Sequence, residues 1–159
     1  MTAFEFPNPV DEVSARLVAA FVVGLSIALV AFGFAWGTAL IATGFLLRVM
    51  AGPKFSPLGR LVTKVIRPRL SIEPRMTAGP PKRFAQAIGL TVSGMAAVAW
   101  IGFGNELIGV GLMVVLIVAA SLEAFAGLCL GCKAFAGLMK LGLIPERVCE
   151  RCATWGSNR

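Results

Sequence analysis

The sequence predicts an all-α integral membrane protein: a four-helix bundle made of two helical hairpins, with an amphipathic loop helix and a cysteine-bearing C-terminal tail. Two observations carry this. Of the 159 residues, 57% are hydrophobic and only 14% charged, where a soluble domain is about half apolar and a quarter charged. The surplus needs lipid to cover it. The apolar residues also fall into two long stretches, each interrupted once by a glycine-rich turn, and the charges collect between and after them.

The chain starts with a polar segment containing Asn8-Pro9-Val10-Asp11-Glu12. Asn8 and Asp11 are candidate N-caps, and the acidic pair suits the positive end of a helix. The segment has no basic n-region, and the apolar stretch after it leads to no small-residue cleavage site, so the first helix is expected to remain in the mature protein. From Leu17 to Met50 the chain is apolar apart from Arg48, with a break at Gly33-Phe34-Ala35-Trp36-Gly37. Crossing about 30 Å of hydrocarbon takes about 20 helical residues. The stretch therefore holds two spans, near 14–33 and 36–52. The second half repeats the plan. Phe84 to Ile101 is apolar, Gly102-Phe103-Gly104-Asn105-Glu106 turns, and Leu107 to Leu128 is apolar except for Glu123. This predicts spans at 84–102 and 107–128. Trp36 and Trp100 lie beside the two turns, as interfacial aromatic belts require.

Residues 53–83 form a basic loop. Lys54, Arg60, Lys64, Arg67, Arg69, Arg75, Lys82 and Arg83 are opposed only by Glu73. Between spans, such charge marks the cytoplasmic side and faces anionic lipid headgroups rather than nucleic acid. Both short turns then lie outside and both termini inside. The tail, 129–159, is cytoplasmic and carries Lys133, Lys140, Arg147, Arg151 and Arg159. Within the loop, Leu58, Leu61, Val62, Val65 and Ile66 recur at helical spacing opposite Arg60, Lys64 and Arg67. That pattern predicts an amphipathic helix on the inner leaflet, ended by Pro68. The two halves also read as a parallel tandem repeat, because Arg48-Val49-Met50-Ala51-Gly52 parallels Glu123-Ala124-Phe125-Ala126-Gly127.

The chain has no histidine, which removes the usual proton shuttle and the commonest metal ligand. Its chemistry lies in sulfur. All four cysteines form two pairs, Cys129-Leu130-Gly131-Cys132 and Cys149-Glu150-Arg151-Cys152. The pattern Cys-x2-Cys-x16-Cys-x2-Cys has the spacing of a four-cysteine zinc site. It is equally two redox dithiols, in which a lowered thiol pKa drives thiol–disulfide exchange. Packing alone could account for Cys129 and Cys132 but not for thiols in a charged tail, and a reducing cytoplasm disfavours structural disulfides. Lys133, Arg147 and Arg151 favour thiolate; Glu150 opposes it.

Two ionisable residues stand inside the spans, Arg48 and Glu123, each near the cytoplasmic end of its helix and at similar depth, where they can form an intramembrane ion pair. Such residues cost about 2.5–3.5 kcal/mol on insertion scales and usually mark function. Glu123 is the candidate proton donor or acceptor for Cys129 and Cys132.

Several stretches resemble a bacterial membrane family known as domain of unknown function 4395: Asn8-Pro9-Val10-Asp11-Glu12; Phe45-Leu46-Leu47-Arg48 with Gly52-Pro53-Lys54-Phe55-Ser56-Pro57-Leu58; Pro81-Lys82-Arg83-Phe84-Ala85-Gln86-Ala87-Ile88-Gly89; and Leu122-Glu123-Ala124 with Cys129-Leu130-Gly131-Cys132-Lys133. The resemblance runs from residue 8 to about 140. It implies a multi-pass protein of the bacterial inner membrane working beside thioredoxin-like or sulfurtransferase proteins, and it supplies no activity.

Three functions follow from these residues. The first is dithiol or persulfide exchange at the cytoplasmic face with such a partner, through Cys129, Cys132, Cys149 and Cys152. The second is a non-enzymatic membrane protein whose four cysteines hold zinc in a docking tail. The third is transport of a small sulfur compound along Arg48 and Glu123, which with four helices calls for an oligomer.

Overall fold

A computed structural model describes residues 10–51, 57–66, 69 and 75–143 of the chain. Among the described residues the fold is all-α apart from one two-stranded ladder. Four long helices pack together: α1 (Glu12–Ala31), α2 (Trp36–Ala51), α4 (Gly79–Ala97, prolonged by a π turn at Val98–Gly102) and α5 (Glu106–Ala126). Between the two hairpins lies α3 (Pro57–Leu61, prolonged by a π turn at Val62–Ile66), and after them comes α6 (Leu130–Lys140).

The Asp11 carboxylate starts α1, accepting from the backbone N–H groups of Val13 and Ser14 at 3.2 and 3.3 Å and from the Ser14 hydroxyl at 2.7 Å. These bonds satisfy donors that no helical carbonyl can reach. Just before it, β1 (Val10–Asp11) pairs antiparallel with β2 (Met76–Thr77), Val10 opposite Thr77. The ladder ties the start of α1 to the start of α4, so both hairpins begin at the same end of the bundle.

The two hairpin turns share a backbone solution. Phe32 and Phe103 cap the first helix of each hairpin, and the following glycines, Gly33 and Gly104, both adopt φ 64°. Only glycine takes this left-handed conformation without strain. In the first turn Phe34 N–H returns to the Leu29 carbonyl at 2.9 Å; in the second, Asn105 N–H returns to Ala99 at 2.8 Å, one residue further because of the π turn. Asn105 then caps α5 through Ile108 N–H. After each turn a glycine lets a large side chain rest on helix backbone. A Cβ at Gly37 would overlap Leu29, and one at Gly109 would overlap Trp100.

Packing crosses between the hairpins. Helix α1 lies along α5 and α2 along α4, with α4 and α5 also in contact. These two crossed interfaces exchange if the first hairpin is laid on the second. Side chains respect the same exchange. From α1, Arg16 donates to the Ala124 and Phe125 carbonyls at the end of α5, at 3.2 and 3.1 Å. From α4, Arg83 donates to the Val49 carbonyl near the end of α2, at 2.9 Å. Val49 and Ala124 are the residues that align when Arg48-Val49 is set on Glu123-Ala124. The spacing from Arg16 to Arg83 also separates Ser26 from Ser93, both fully buried.

The core at the crossing is Val22, Val23, Leu29, Ile41, Ala96, Met113, Leu116 and Ala120. Outside it, Leu25, Leu40, Ile88, Met95, Val115 and Val118 stand exposed, as do many other large apolar residues. Helices that are apolar on the outside as well as the inside are membrane helices. Three are long and apolar enough to cross: Glu12–Ala31, Gly79–Gly102 and Glu106–Ala126; Trp36–Met50 is apolar but shorter. Three helices of this length and composition mark a membrane protein.

The structure differs from the sequence expectations in two places. Residues 79–83, predicted as the end of the basic loop, form the first turn of α4. Pro80 and Pro81 occupy positions where a missing N–H costs nothing and a fixed φ favours the helix. The beginning of the predicted tail is a helix, α6, packed on α4. The amphipathic helix expected over Ser56 to Ile66 corresponds to Pro57–Ile66, and it buries Val62 completely.

Candidate dithiol site

Helix α5 ends at Gly127, in the left-handed conformation at φ 65°, and both Gly127 and Leu128 N–H groups turn back to the Leu122 carbonyl. Arg16 takes the Ala124 and Phe125 carbonyls. These bonds pin the joint between α5 and α6, which delivers Cys129 to the N-cap of α6.

Cys129 is extended (φ −81°, ψ 102°), and its sulfur occupies the place that a Ser or Asp oxygen takes at other helix starts. The Cys132 N–H points at that sulfur from 3.3 Å. The Cys132 thiol also donates to it. This thiol hydrogen bond is the largest influence lowering the Cys129 pKa from its ordinary value, against desolvation and the Glu123 charge; Lys82 assists. The same bond raises the Cys132 pKa, and burial raises it further. The pair is polarised: Cys129 is the more easily ionised thiol and Cys132 the proton holder. Thiolate at a helix N-terminus beside a cation is the arrangement that makes a cysteine reactive.

The residues between the two cysteines matter for placement. A Cβ on Gly131 would come to 2.5 Å from the Ala85 Cα and Cβ, so only glycine lets α6 rest directly on the α4 backbone. Further along, Phe135 is buried with its ring 5.6 Å from that of Phe84.

Below the cysteines, Lys82 Nζ and Glu123 Oε1 form an ion pair at 2.6 Å, with side chains 8% and 22% exposed. The pair closes the start of α4 onto the end of α5. One or both of its members line three cavities. A cavity of about 350 Å³ holds Lys82, Cys129, Cys132 and Lys133. A narrower one of about 80 Å³, inside the bundle, holds Ser14, Arg48, Lys82, Gln86 and Glu123. A third, of about 290 Å³, runs among α2, α4, α5 and α6 and is lined by Cys129 and Glu123 at one end and by apolar residues beyond.

The predicted residues are distributed accordingly. Cys129 and Cys132 come together, with Glu123 on a cavity shared with Cys129. Arg48 and Glu123, expected to pair, line the same inner cavity, where the Arg48 guanidinium stands 5.5 Å from the Phe45 ring centre. Lys82 is hydrogen-bonded to Glu123, although in the sequence it reads only as loop charge; Pro80-Pro81 is the signal that Lys82 begins a helix. Arg16 and Gly131 were also missed as site residues. Cys149 and Cys152 lie outside the described residues. Among the described residues, no three His, Cys, Asp or Glu side chains gather as a metal site.

No curated protein and no solved structure matches the chain. The sequence model of one family matches it over residues 10–140. The chain belongs to that family, Domain of unknown function (DUF4395).

Proposed function

We propose that this protein is a four-span membrane dithiol carrier that exchanges electrons with a soluble thioredoxin-like protein through Cys129 and Cys132. The single observation behind this is the Cys129 sulfur at the N-cap of α6, accepting from Cys132 and opening onto a cavity of about 350 Å³ that also holds Lys82 and Lys133. In this reading α2 is the fourth span. The bundle end that carries the ladder, Arg16, Arg83 and α6 faces the cytoplasm, where basic residues belong. Anionic headgroups surround the basic loop.

A partner thiolate attacks the Cys132 sulfur of the Cys129–Cys132 disulfide. The S–S bond breaks and Cys129 leaves as thiolate, the better leaving group because its pKa is the lower. The partner's second thiolate then attacks its own sulfur in the mixed disulfide, and Cys132 leaves and takes up a proton. Two electrons have moved from the partner dithiol, now a disulfide, into the membrane pair. Glu123 accepts or returns the thiol proton, and its ion pair with Lys82 holds it in place. A sulfurtransferase partner would use the same half-buried Cys132 to deliver sulfur. Cys149 and Cys152 serve as the mobile relay to the partner, or with the first pair as ligands of zinc in a docking tail.

The test is the full chain purified anaerobically in detergent. Metal content and free thiols are measured, and the thiols are then titrated in a glutathione redox buffer. The proposal expects Cys129 and Cys132 to oxidise together as one two-electron couple with no bound metal. About one zinc per chain with four protected thiols would replace exchange with the docking tail.

A further inference from the structure

Cys129 stands between two cavities, each with a mostly apolar wall. The first also holds Cys132 and the charged groups Lys82, Lys133 and Glu12 at the bundle end. The second contains Cys129 but not Cys132. From Cys129 and Glu123 it runs past Ala119 to Val92 and Val115. Val92 lies ten residues beyond Lys82 along α4, about 15 Å further into the membrane at 1.5 Å per residue. Its lining includes Ile88 on α4 and Val115 on α5, 41% and 56% exposed on the outer face of two helices apolar and long enough to span a membrane, and Leu130 at the bundle end. A molecule entering there arrives from the hydrocarbon phase, with its polar end directed to Glu123 and the Cys129 sulfur.

A dithiol that faces lipid on one side needs an electron acceptor soluble in lipid. Oxidising Cys129 and Cys132 to a disulfide releases two electrons and two protons together. Quinones are the lipid-soluble carriers that accept both in one cycle. We propose that the groove between α4 and α5 binds a membrane quinone and that the Cys129–Cys132 dithiol reduces it. This rests on the dithiol reading and adds to it an acceptor and a direction. The S–S bond forms between Cys129 and Cys132, the quinone carbonyl oxygens become hydroxyls, and the two protons they gain are the one on the Cys132 thiol and the one that Cys129 gives up to water on ionising, taken back from water by way of Glu123. A soluble dithiol on the charged side then reduces the disulfide and restores the pair. The π-electron acceptor and the water-soluble donor never meet, because Cys129 is the wall between their cavities.

The experiment uses the full chain in lipid nanodiscs, reduced and freed of excess thiol, with a short-chain ubiquinone as probe. Its ring is substituted enough that thiol addition to the ring is suppressed, so loss of the quinone absorbance reports reduction. One quinol should appear for each Cys129–Cys132 disulfide formed. Two groove-filling variants, Ala119→Phe and the rim variant Ile88→Trp, should slow quinol formation at least about tenfold. The same variants should titrate normally in the glutathione buffer, which shows that they are folded and that their dithiol is intact. A wild-type dithiol that cycles in glutathione but leaves ubiquinone unreduced overturns the quinone and keeps the dithiol, leaving the groove to a lipid acyl chain. Quinol formation unchanged in both variants overturns this groove as its site. A Cys129–Cys132 pair that does not cycle in glutathione overturns the underlying dithiol reading instead.

Discussion

Replacing Gly131 by Ala sets two effects of opposite sign against each other. Gly131 lies in the first turn of α6, where alanine is favoured over glycine by about 1 kcal/mol of helix propensity. Helix content alone would thus predict a more stable protein. The structure predicts the reverse. The added Cβ would sit 2.5 Å from the Ala85 Cα, where carbon atoms settle at about 3.5–4.0 Å. The obstacle is the backbone of α4, which no rotamer change can clear, so α6 must move away by more than about 1 Å. Overpacking of this kind costs about 1–3 kcal/mol. Taking the upper end, because backbone is involved, leaves a net loss of about 2 kcal/mol, a factor of about 30 in the docking of α6. Gly137 in the same helix is the control, since a Cβ there meets nothing within 4 Å, and Gly137→Ala should keep the propensity gain. The assay is the rate at which a maleimide labels Cys129 in the detergent-solubilised protein, with helicity followed in parallel. Gly131→Ala should label about 30 times faster at unchanged helicity, and Gly137→Ala no faster than wild type. If Gly131→Ala labelled like wild type, α6 would not rest on Ala85 and the placement of the dithiol would be wrong.

Other consequences are quickly stated. Asp11→Ala removes the cap of α1 and should cost about 1 kcal/mol, up to about 2, read as a fall in the thermal midpoint that Asp11→Asn largely avoids. Lys82→Met leaves Glu123 without its hydrogen-bonded cation and should destabilise by about 3 kcal/mol or somewhat less given the partial exposure of Glu123, whereas Lys82→Met with Glu123→Leu should recover most of that, as removal of both members of a buried pair does. Iodoacetamide alkylation of Cys129 should rise with pH through a midpoint below the ordinary thiol value of about 8.5, because its pKa is lowered, and should move upward in Cys132→Ala, which removes the donor responsible. Arg16→Met frees two carbonyls at the end of α5 and should speed Cys129 labelling without changing that midpoint, since Arg16 acts on the joint and not on the sulfur.

The fold was largely legible because lipid imposes a simple grammar. A run of about 20 apolar residues is a helix whatever its neighbours, and Gly33 and Gly104 had little else to be than turns once each apolar stretch proved too long for one helix. What stayed hidden was whatever depends on contact. The start of α4 was misplaced because Lys82 and Arg83 read as loop charge, although their destinations, Glu123 and the Val49 carbonyl, lie on other helices far along the chain. Helix α6 read as tail for a similar reason. Its one buried large residue, Phe135, packs on Phe84, and a single aromatic gives no period to recognise. Of the site, the cysteines were visible from spacing alone, while Gly131 looked like an ordinary loop glycine until Ala85 was found against it.

The position of the cysteines follows from the crossing of the hairpins more than from α6 itself. Because α1 lies on α5 and α2 on α4, each hairpin's second helix ends against the beginning of the other hairpin's first. Arginine closes both junctions, Arg16 at α5 and Arg83 at α2. In the first half the chain then runs on toward α3; in the second it turns at Gly127, and α6 lies back across α4. If the halves were equivalent, the residues at the two span ends would be equivalent too, yet one is Arg48 and the other Glu123. That difference allows one carboxylate to face cations from both hairpins at the bundle's charged end, with Lys82 bonded to it and Arg48 on the same cavity. The thiol pair sits directly beyond that carboxylate. The paired hairpins supply rigidity and Glu123 supplies the acid–base group, so Glu123→Gln, which keeps a hydrogen-bond acceptor for Lys82 but cannot carry a proton to the thiols, should keep the helices and abolish proton-coupled exchange at Cys129.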